Sequence, residues 1–263
     1  MSLATAHRNG RRRPGGLRRR LRQSVSFIEA GFCICAAALF CYAIYHFFLN
    51  SPRFHVKHIV VYGTAAVTPA EVRQAAGVTT TDNLLFLDKA AVAERVAALP
   101  YVASAEVQRE LPNTLIIHLA ERQAEATLLA GRRSFLIDRE GVVLKESAPG
   151  DAVVGPLITN VPGLGVISTG MHLEEPSVLE ALKLWEAYSQ APIATEVSLS
   201  EISAEGPMNL TMILDEAPYE VRWGRSDYKK QAERLSILWD EKGGLLPCQE
   251  YLDLRFDQDL VCR

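Results

Sequence analysis

A chain of 263 residues, 48% of them hydrophobic, is long enough for one large domain or two small ones and too apolar to be wholly disordered. Its net charge of −3 is unevenly spread. Arg8, Arg11, Arg12, Arg13, Arg18, Arg19, Arg20 and Arg22 all precede the first acid, Glu29, and the remainder carries 20 basic against 31 acidic residues, a net −11. Such a balance argues against a nucleic-acid-binding body and suits a chain whose basic end meets anionic lipid while an acidic folded part faces water.

Residues 1–26 are rich in Arg and Gly, bury little, and are expected to form a disordered cytoplasmic tail. Residues 27–49 are expected to cross a membrane. Ala30 to Leu49 is a run of 20 residues without Asp, Glu, Lys or Arg, and at ~1.5 Å per residue a helix of that length spans roughly 30 Å, the hydrocarbon thickness of a bilayer. Tyr42, Tyr45, Phe47 and Phe48 suit an interfacial aromatic belt. The run is too long for a cleaved signal, and His46–Asn50 offers no small-x-small cleavage site. A buried helix would show a polar stripe. With the arginines on the cytoplasmic side, the reading is a single-pass anchor with its C-terminal domains outside.

Residues 54–122 read as strand, two helices and two strands. His58, Ile59, Val60 and Val61 form a β-branched run ending at Gly63. Thr68-Pro69-Ala70-Glu71 is a capping box with proline at the first helical position, and Gly77 ends that helix. Asp88 caps a second helix whose inward face is Val92, Val96 and Leu99, and Pro100 stops it. Val102–Leu111 and Leu115–Glu121 then alternate as antiparallel strands around Pro112-Asn113. The expected product is a β-α-α-β-β domain, a three-stranded sheet with both helices on one face.

Residues 123–263 read as mostly β. Phe135–Asp138 and Val142–Leu144 flank Arg139-Glu140-Gly141 as a hairpin. Leu179, Leu182, Trp185 and Tyr188 share a helix face after Pro176. Strands are expected over 197–202, 209–214 and 219–223, a helix over 226–241 with Leu235 and Leu238 inward, and two short strands over 251–256 and 260–263. Cys248 and Cys262 flank that last pair and would be able to pair in an oxidising compartment. Cys33, Cys35 and Cys41 lie in the apolar run as small hydrophobes. The fold class is therefore α+β with an N-terminal transmembrane helix. No nucleophile elbow, metal-binding helix motif or phosphate loop stands in the chain, so no catalytic, cofactor or metal residue is nominated.

Several positions carry a resemblance. Ile59-x-Val61-x-Gly63, Asn83-Leu84, Leu87-Asp88, Leu99-Pro100-x-Val102, Ala105-x-Val107-x-Arg109, Pro112-x-Thr114-Leu115-x-Ile117 and Glu121-Arg122 resemble a POTRA domain, and more narrowly that of the bacterial cell-division family FtsQ (DivIB). Asp138 and Gly141 of the hairpin, Gly224-Arg225-Ser226-Asp227-Tyr228 and Asp253-Leu254-Arg255 resemble that family's β domain. Ala124 stands where the family usually has proline. The resemblance implies a non-catalytic, cofactor-free scaffold of the divisome in the inner membrane at the septum. It implies FtsB- and FtsL-type bitopic partners docking on the β domain, and other division proteins meeting the POTRA domain. A POTRA-bearing factor for outer-membrane protein assembly or secretion is the alternative, although such chains usually carry several POTRA repeats or a barrel.

The expected docking site is the terminal edge: Asp253, Leu254, Arg255, Phe256, Leu260 and Val261. A partner strand would add its backbone hydrogen bonds there, Arg255 would fork onto an acidic partner residue, and Phe256 would anchor it. Asp257 and Asp259 oppose this, because charges on an edge strand discourage pairing, and an ordinary edge strand remains the competing reading.

Overall fold

The computed structural model describes residues 16–224, 227–244, 246–256 and 261–263. Helix α1 runs from Gly16 to Asn50. It thus begins well before residue 27, and residues 16–26 are helical where a disordered tail was expected. Leu17–Gln23 is made of Leu, Arg and Gln, strong helix formers, and extending a helix already nucleated by the apolar run costs little. Arg8 to Arg13, expected in that tail, lie outside the described residues. Gly31–Asn50 is long and apolar enough to cross a membrane, and Phe32, Leu39, Phe40 and Phe47 stand exposed along it.

The first domain comprises β1 (His58–Tyr62), α2 (Pro69–Ala76), α3 (Lys89–Ala97), β2 (Val102–Glu110) and β3 (Thr114–Glu121). β3 is central, parallel to β1 and antiparallel to β2. The capping box forms as read: Thr68 Oγ1 accepts from the Glu71 backbone N–H, and Glu71 accepts from the Thr68 backbone N–H. Asp88 accepts from Ala90 and Ala91 at the start of α3. Val72, Ala76, Leu84, Val92, Val96, Leu115 and Ile117 are fully buried between helices and sheet. Gly63 is dictated by the fold, since at φ +85° a Cβ would lie 2.2 Å from the Leu119 carbonyl oxygen.

Glu121, the last residue of β3, ties the end of the sheet to the loop before α2. Its carboxylate accepts three backbone N–H groups, from Ala65, Ala66 and Val67, at 2.7–3.0 Å. Burial pushes its pKa up, but those three donors outweigh burial and hold it below the usual carboxylate range. A depressed carboxylate stabilises the fold above its unfolded pKa and loses that contribution as pH falls through its folded pKa. Glu121→Gln is therefore expected to cost about 1–2 kcal/mol at neutral pH. The gap between variant and wild type should start to narrow only below the ordinary glutamate pKa of about 4.3 and close as pH falls through the depressed folded-state value. Urea unfolding of both chains at neutral and acid pH checks this; a gap that persists in acid would exclude the carboxylate charge as its source.

The second domain follows as β4 (Ala126–Ala130), β5 (Arg133–Ile137), β6 (Val143–Ser147), β7 (Leu157–Thr159), α4 (Pro176–Ser189), β8 (Leu199–Gly206), β9 (Asn209–Leu214), β10 (Glu220–Trp223), α5 (Tyr228–Glu241), β11 (Tyr251–Asp253) and β12 (Val261–Cys262). Among the described residues they form one nine-stranded sheet, ordered β12-β11-β10-β9-β8-β7-β4-β5-β6. β4 and β7 were not foreseen; β7 is three residues long, and it joins β4 to β8 with parallel pairings on both sides. α4 and α5 pack together, linked by the Tyr228 hydroxyl on Glu180 at 3.0 Å. Leu128, Phe135, Ile158, Leu184, Tyr188, Ile202 and Trp223 fill the core beneath them.

The two domains meet at Arg122. Its Nη1 donates to Asp138 and to Glu140, each at 2.6 Å, and its backbone N–H donates to the Tyr101 carbonyl at 2.8 Å. Asp138 also accepts from the backbone of Glu140 and Val142, which shapes the hairpin turn. The Glu-Arg and Asp-x-x-Gly motifs are thus the two halves of one junction.

Candidate functional site at the C-terminal sheet edge

β11 is parallel to β10 on its inner side and antiparallel to β12 on its outer side, so β12 is one edge of the large sheet. β12 is two residues long, and a covalent bond holds it: Cys248 and Cys262 form a disulfide with their Cα atoms 5.2 Å apart. Arg263 exchanges backbone hydrogen bonds with Tyr251 at 3.0 and 3.3 Å, and its backbone oxygen also accepts from Gln249 and Glu250. Leu252 lies opposite Cys262. In an antiparallel ladder hydrogen-bonded pairs alternate with unbonded ones, so the N–H and C=O of Cys262 face away from β11, toward the open edge.

Among the described residues, the nominated positions do not form one surface. Asp253 and Leu254 are 3% and 1% exposed and contribute to the interior. Arg255, expected to reach an acidic partner residue, is engaged by Asp253: Nε lies 2.9 and 3.0 Å from the two carboxylate oxygens and Nη2 lies 2.5 Å from the second. The Arg255 backbone N–H also donates to Asp253 at 3.0 Å, a turn that ends β11 at Asp253 instead of at Phe256. Burial pushes the Asp253 pKa up, while the Arg255 guanidinium and N–H outweigh it and hold the carboxyl low. Phe256 and Val261 are exposed, at 50% and 39%, and the Phe256 carbonyl is fixed by Arg234 of α5 at 2.9 Å. Leu260, Asp257 and Asp259 lie outside the described residues.

Several features around the edge escaped the sequence reading. At Gly224, in the turn after β10, a Cβ would lie 3.2 Å from the Arg255 Cα, so the motif glycine and the motif arginine pack closely against each other. The Arg222 guanidinium covers the Tyr251 ring at 3.8 Å, shielding one face of the β10–β11 pair. Elsewhere, the cleft between the domains is lined by Glu121, Arg122, Asp138 and Glu140, and each of these is already committed to the contacts described above.

Comparison with known proteins adds two family matches. Residues 54–122 match the model described as "POTRA domain, FtsQ-type", and residues 126–255 match "Cell division protein FtsQ/DivIB, C-terminal". The second match reaches Asp253, Leu254 and Arg255 and stops short of Phe256 and β12. Among curated proteins the chain is similar to the cell division protein FtsQ of Geotalea daltonii, at 26% identity over 92% of this chain and 88% of the relative. It is similar to FtsQ of Anaeromyxobacter sp. at 32% identity over 71% of this chain and 62% of the relative. The figures for FtsQ of Mycobacteroides abscessus are 33%, 73% and 58%. With these last two, the chain spans less than two thirds of the relative's length.

Proposed function

The chain belongs to the FtsQ/DivIB family of cell-division proteins, and on that premise we propose that it is a non-catalytic scaffold of the divisome. In this reading it holds short bitopic partners of the FtsB and FtsL type by accepting a partner strand at the β12 edge. The observation that carries the proposal is the construction of that edge: an exposed strand with outward backbone groups, stapled by a disulfide and flanked by the exposed Phe256. Backbone hydrogen bonds would supply affinity, and Phe256 and Val261 the apolar anchors. Asp253 and Arg255 position the strand from behind, and a contact of Arg255 with the partner is secondary to that.

The topology reading supports the same arrangement. The arginines of the N-terminal segment favour the cytoplasm, and a disulfide persists on the oxidising side of the inner membrane.

The test is binding of the full-length chain, in phospholipid nanodiscs, to FtsB and FtsL ectodomain peptides. Phe256→Ala and Val261→Asp are each expected to weaken binding by about tenfold or more, a loss of roughly 1.4 kcal/mol, with melting temperatures unchanged. Wild-type binding that both variants retain would move the site off this edge. Absence of wild-type binding would count against the partner assignment itself.

A further inference from the structure

The exit of α1 is welded to the first domain. A helix leaves its last four carbonyls without intrahelical partners, and two of these are taken here by a side chain from the far side of a loop. Asn83 Nδ2 donates to the carbonyls of Phe48 and Leu49 at 2.7 and 2.8 Å. Asn83 Oδ1 accepts from the Leu85 N–H at 2.9 Å, which sets the turn that follows. The short connection is also pinned: Leu84 donates to the Phe54 carbonyl at 2.7 Å, Val56 donates to the Asp82 carbonyl at 3.0 Å, and His55 and Asn83 form an isolated β-bridge. Arg109 of β2 donates to the Leu87 carbonyl from behind. No slack linker separates the membrane helix from the domain.

This weld fixes a depth. Phe86 packs edge-on against Tyr45, ring centroids 5.5 Å apart, and Tyr45 stands five residues before the last residue of α1, Asn50. At ~1.5 Å per residue its Cα lies roughly 7 Å back along the helix axis, on the membrane side of the exit. A second aromatic pair, Phe48 with Phe54 at 5.6 Å, lies beside it. Phe86, Tyr45, Phe47 and Phe48 are all exposed, at 46%, 52%, 66% and 39%, so this aromatic cluster presents ring surface that the protein leaves uncovered. The surface continuous with it is the apolar helix Gly31–Asn50, whose environment in a bitopic protein is lipid. Aromatic rings concentrate at the headgroup level of a bilayer.

We propose that the turn Asn83–Leu87 is a membrane-contact surface, a foot that seats the POTRA domain on the phospholipid leaflet with Phe86 entering the interface. The POTRA sheet is then held at a set angle to the membrane. The inference rests on the bitopic character of the chain and is independent of the β12 docking edge.

The experiment places tryptophan at position 86 of the full-length chain in phosphatidylcholine nanodiscs, with acyl chains brominated near the headgroup. Trp185, Trp223 and Trp239 give a background that the wild-type chain measures. Val166→Trp, at a position 88% exposed in the second domain, serves as the water-facing reference. The expected result is that Phe86→Trp adds blue-shifted emission, quenched by the brominated lipid and protected from acrylamide, while Val166→Trp shows the reverse. Emission at position 86 that ignores the bromines and is as open to acrylamide as position 166 overturns the proposal. Leu85→Trp reads the same foot should the first substitution disturb the fold. Adding Asn83→Ala to Phe86→Trp should reduce the lipid quenching; unchanged quenching would overturn the helix cap as the device that seats the foot.

Discussion

Replacing Arg122 with alanine is expected to cost about 3–5 kcal/mol, because it strands a buried carboxylate. Asp138 is 4% exposed and Glu140 converges on the same Nη1, both at 2.6 Å. Removing the guanidinium leaves the buried Asp138 charge with only its backbone donors, Glu140 and Val142, and with a second carboxylate close by. For a chain of this size each kcal/mol shifts the melting temperature by about 2–4 °C, so a drop on the order of 10 °C is expected in a thermal melt. Arg122→Lys should recover part of it, since a point charge replaces a fork. Lys145→Ala is the control: its partner is Asp151, both side chains are exposed, and the melt should barely move. Equal shifts for Arg122→Ala and Lys145→Ala would show that the junction pair is no more than a surface pair. The loss should also be local, with proteolysis between the domains, over residues 123–125, rising before the β-domain core opens.

How far such a contact was legible in the sequence depends on its range. Local rules found the first domain: the Thr68–Glu71 box, the Asp88 cap and the Gly77 stop each rest on bonds within a few residues, and all formed as read. Alternation located β9 at Asn209–Leu214. It missed β7, because Leu157–Thr159 is too short to show a period and is a strand only through its parallel neighbours β4 and β8. The membrane helix was legible in its apolar part and not in its extension to Gly16, where propensity and cooperativity decide and hydropathy is silent.

The candidate site fared unevenly for a related reason. The two terminal strands were expected, but the resemblance to the family's terminal Asp-Leu-Arg strand assigned all six residues to one open edge. The Arg255 N–H bonds to a carboxylate two residues earlier, and β11 ends at Asp253. Asp253 and Leu254 are buried, while Phe256 and Val261 are exposed. Asp-x-Arg spacing alone does not distinguish an arginine aimed at a partner from one folded back on its own strand; the burial of Asp253 does. The Glu121–Arg122 pair and the Asp138 hairpin were recognised as motifs without any sign that they touch, since sixteen residues separate Arg122 from Asp138.

Breaking the disulfide is expected to abolish the edge before it unfolds the domain. Ordering one residue costs about 1–2 kcal/mol of backbone entropy, and a backbone hydrogen bond returns about 0.5–1.5 kcal/mol net. A two-residue strand joined to β11 by a few such bonds therefore has little stability of its own. The Cys248–Cys262 bridge closes a loop with a sequence separation of 14, and cross-linking a loop of that size is worth about 3 kcal/mol in the chain-entropy account. That contribution is what keeps β12 in register. In the Cys248→Ser/Cys262→Ser chain, amide exchange at Tyr251 and Arg263, whose N–H groups pair across β11 and β12, should rise sharply. Exchange in β8 and β9, which lie deep in the sheet, should change little. Binding of the FtsB-type peptide should fall in parallel with the fraying, and reduction of the wild-type chain by dithiothreitol should reproduce both effects. Fraying without loss of binding would mean that the partner reads a surface other than β12. Loss of binding without fraying would mean that the disulfide is itself part of the contact. If neither changes, the ladder alone holds the edge, and the bridge is incidental to it.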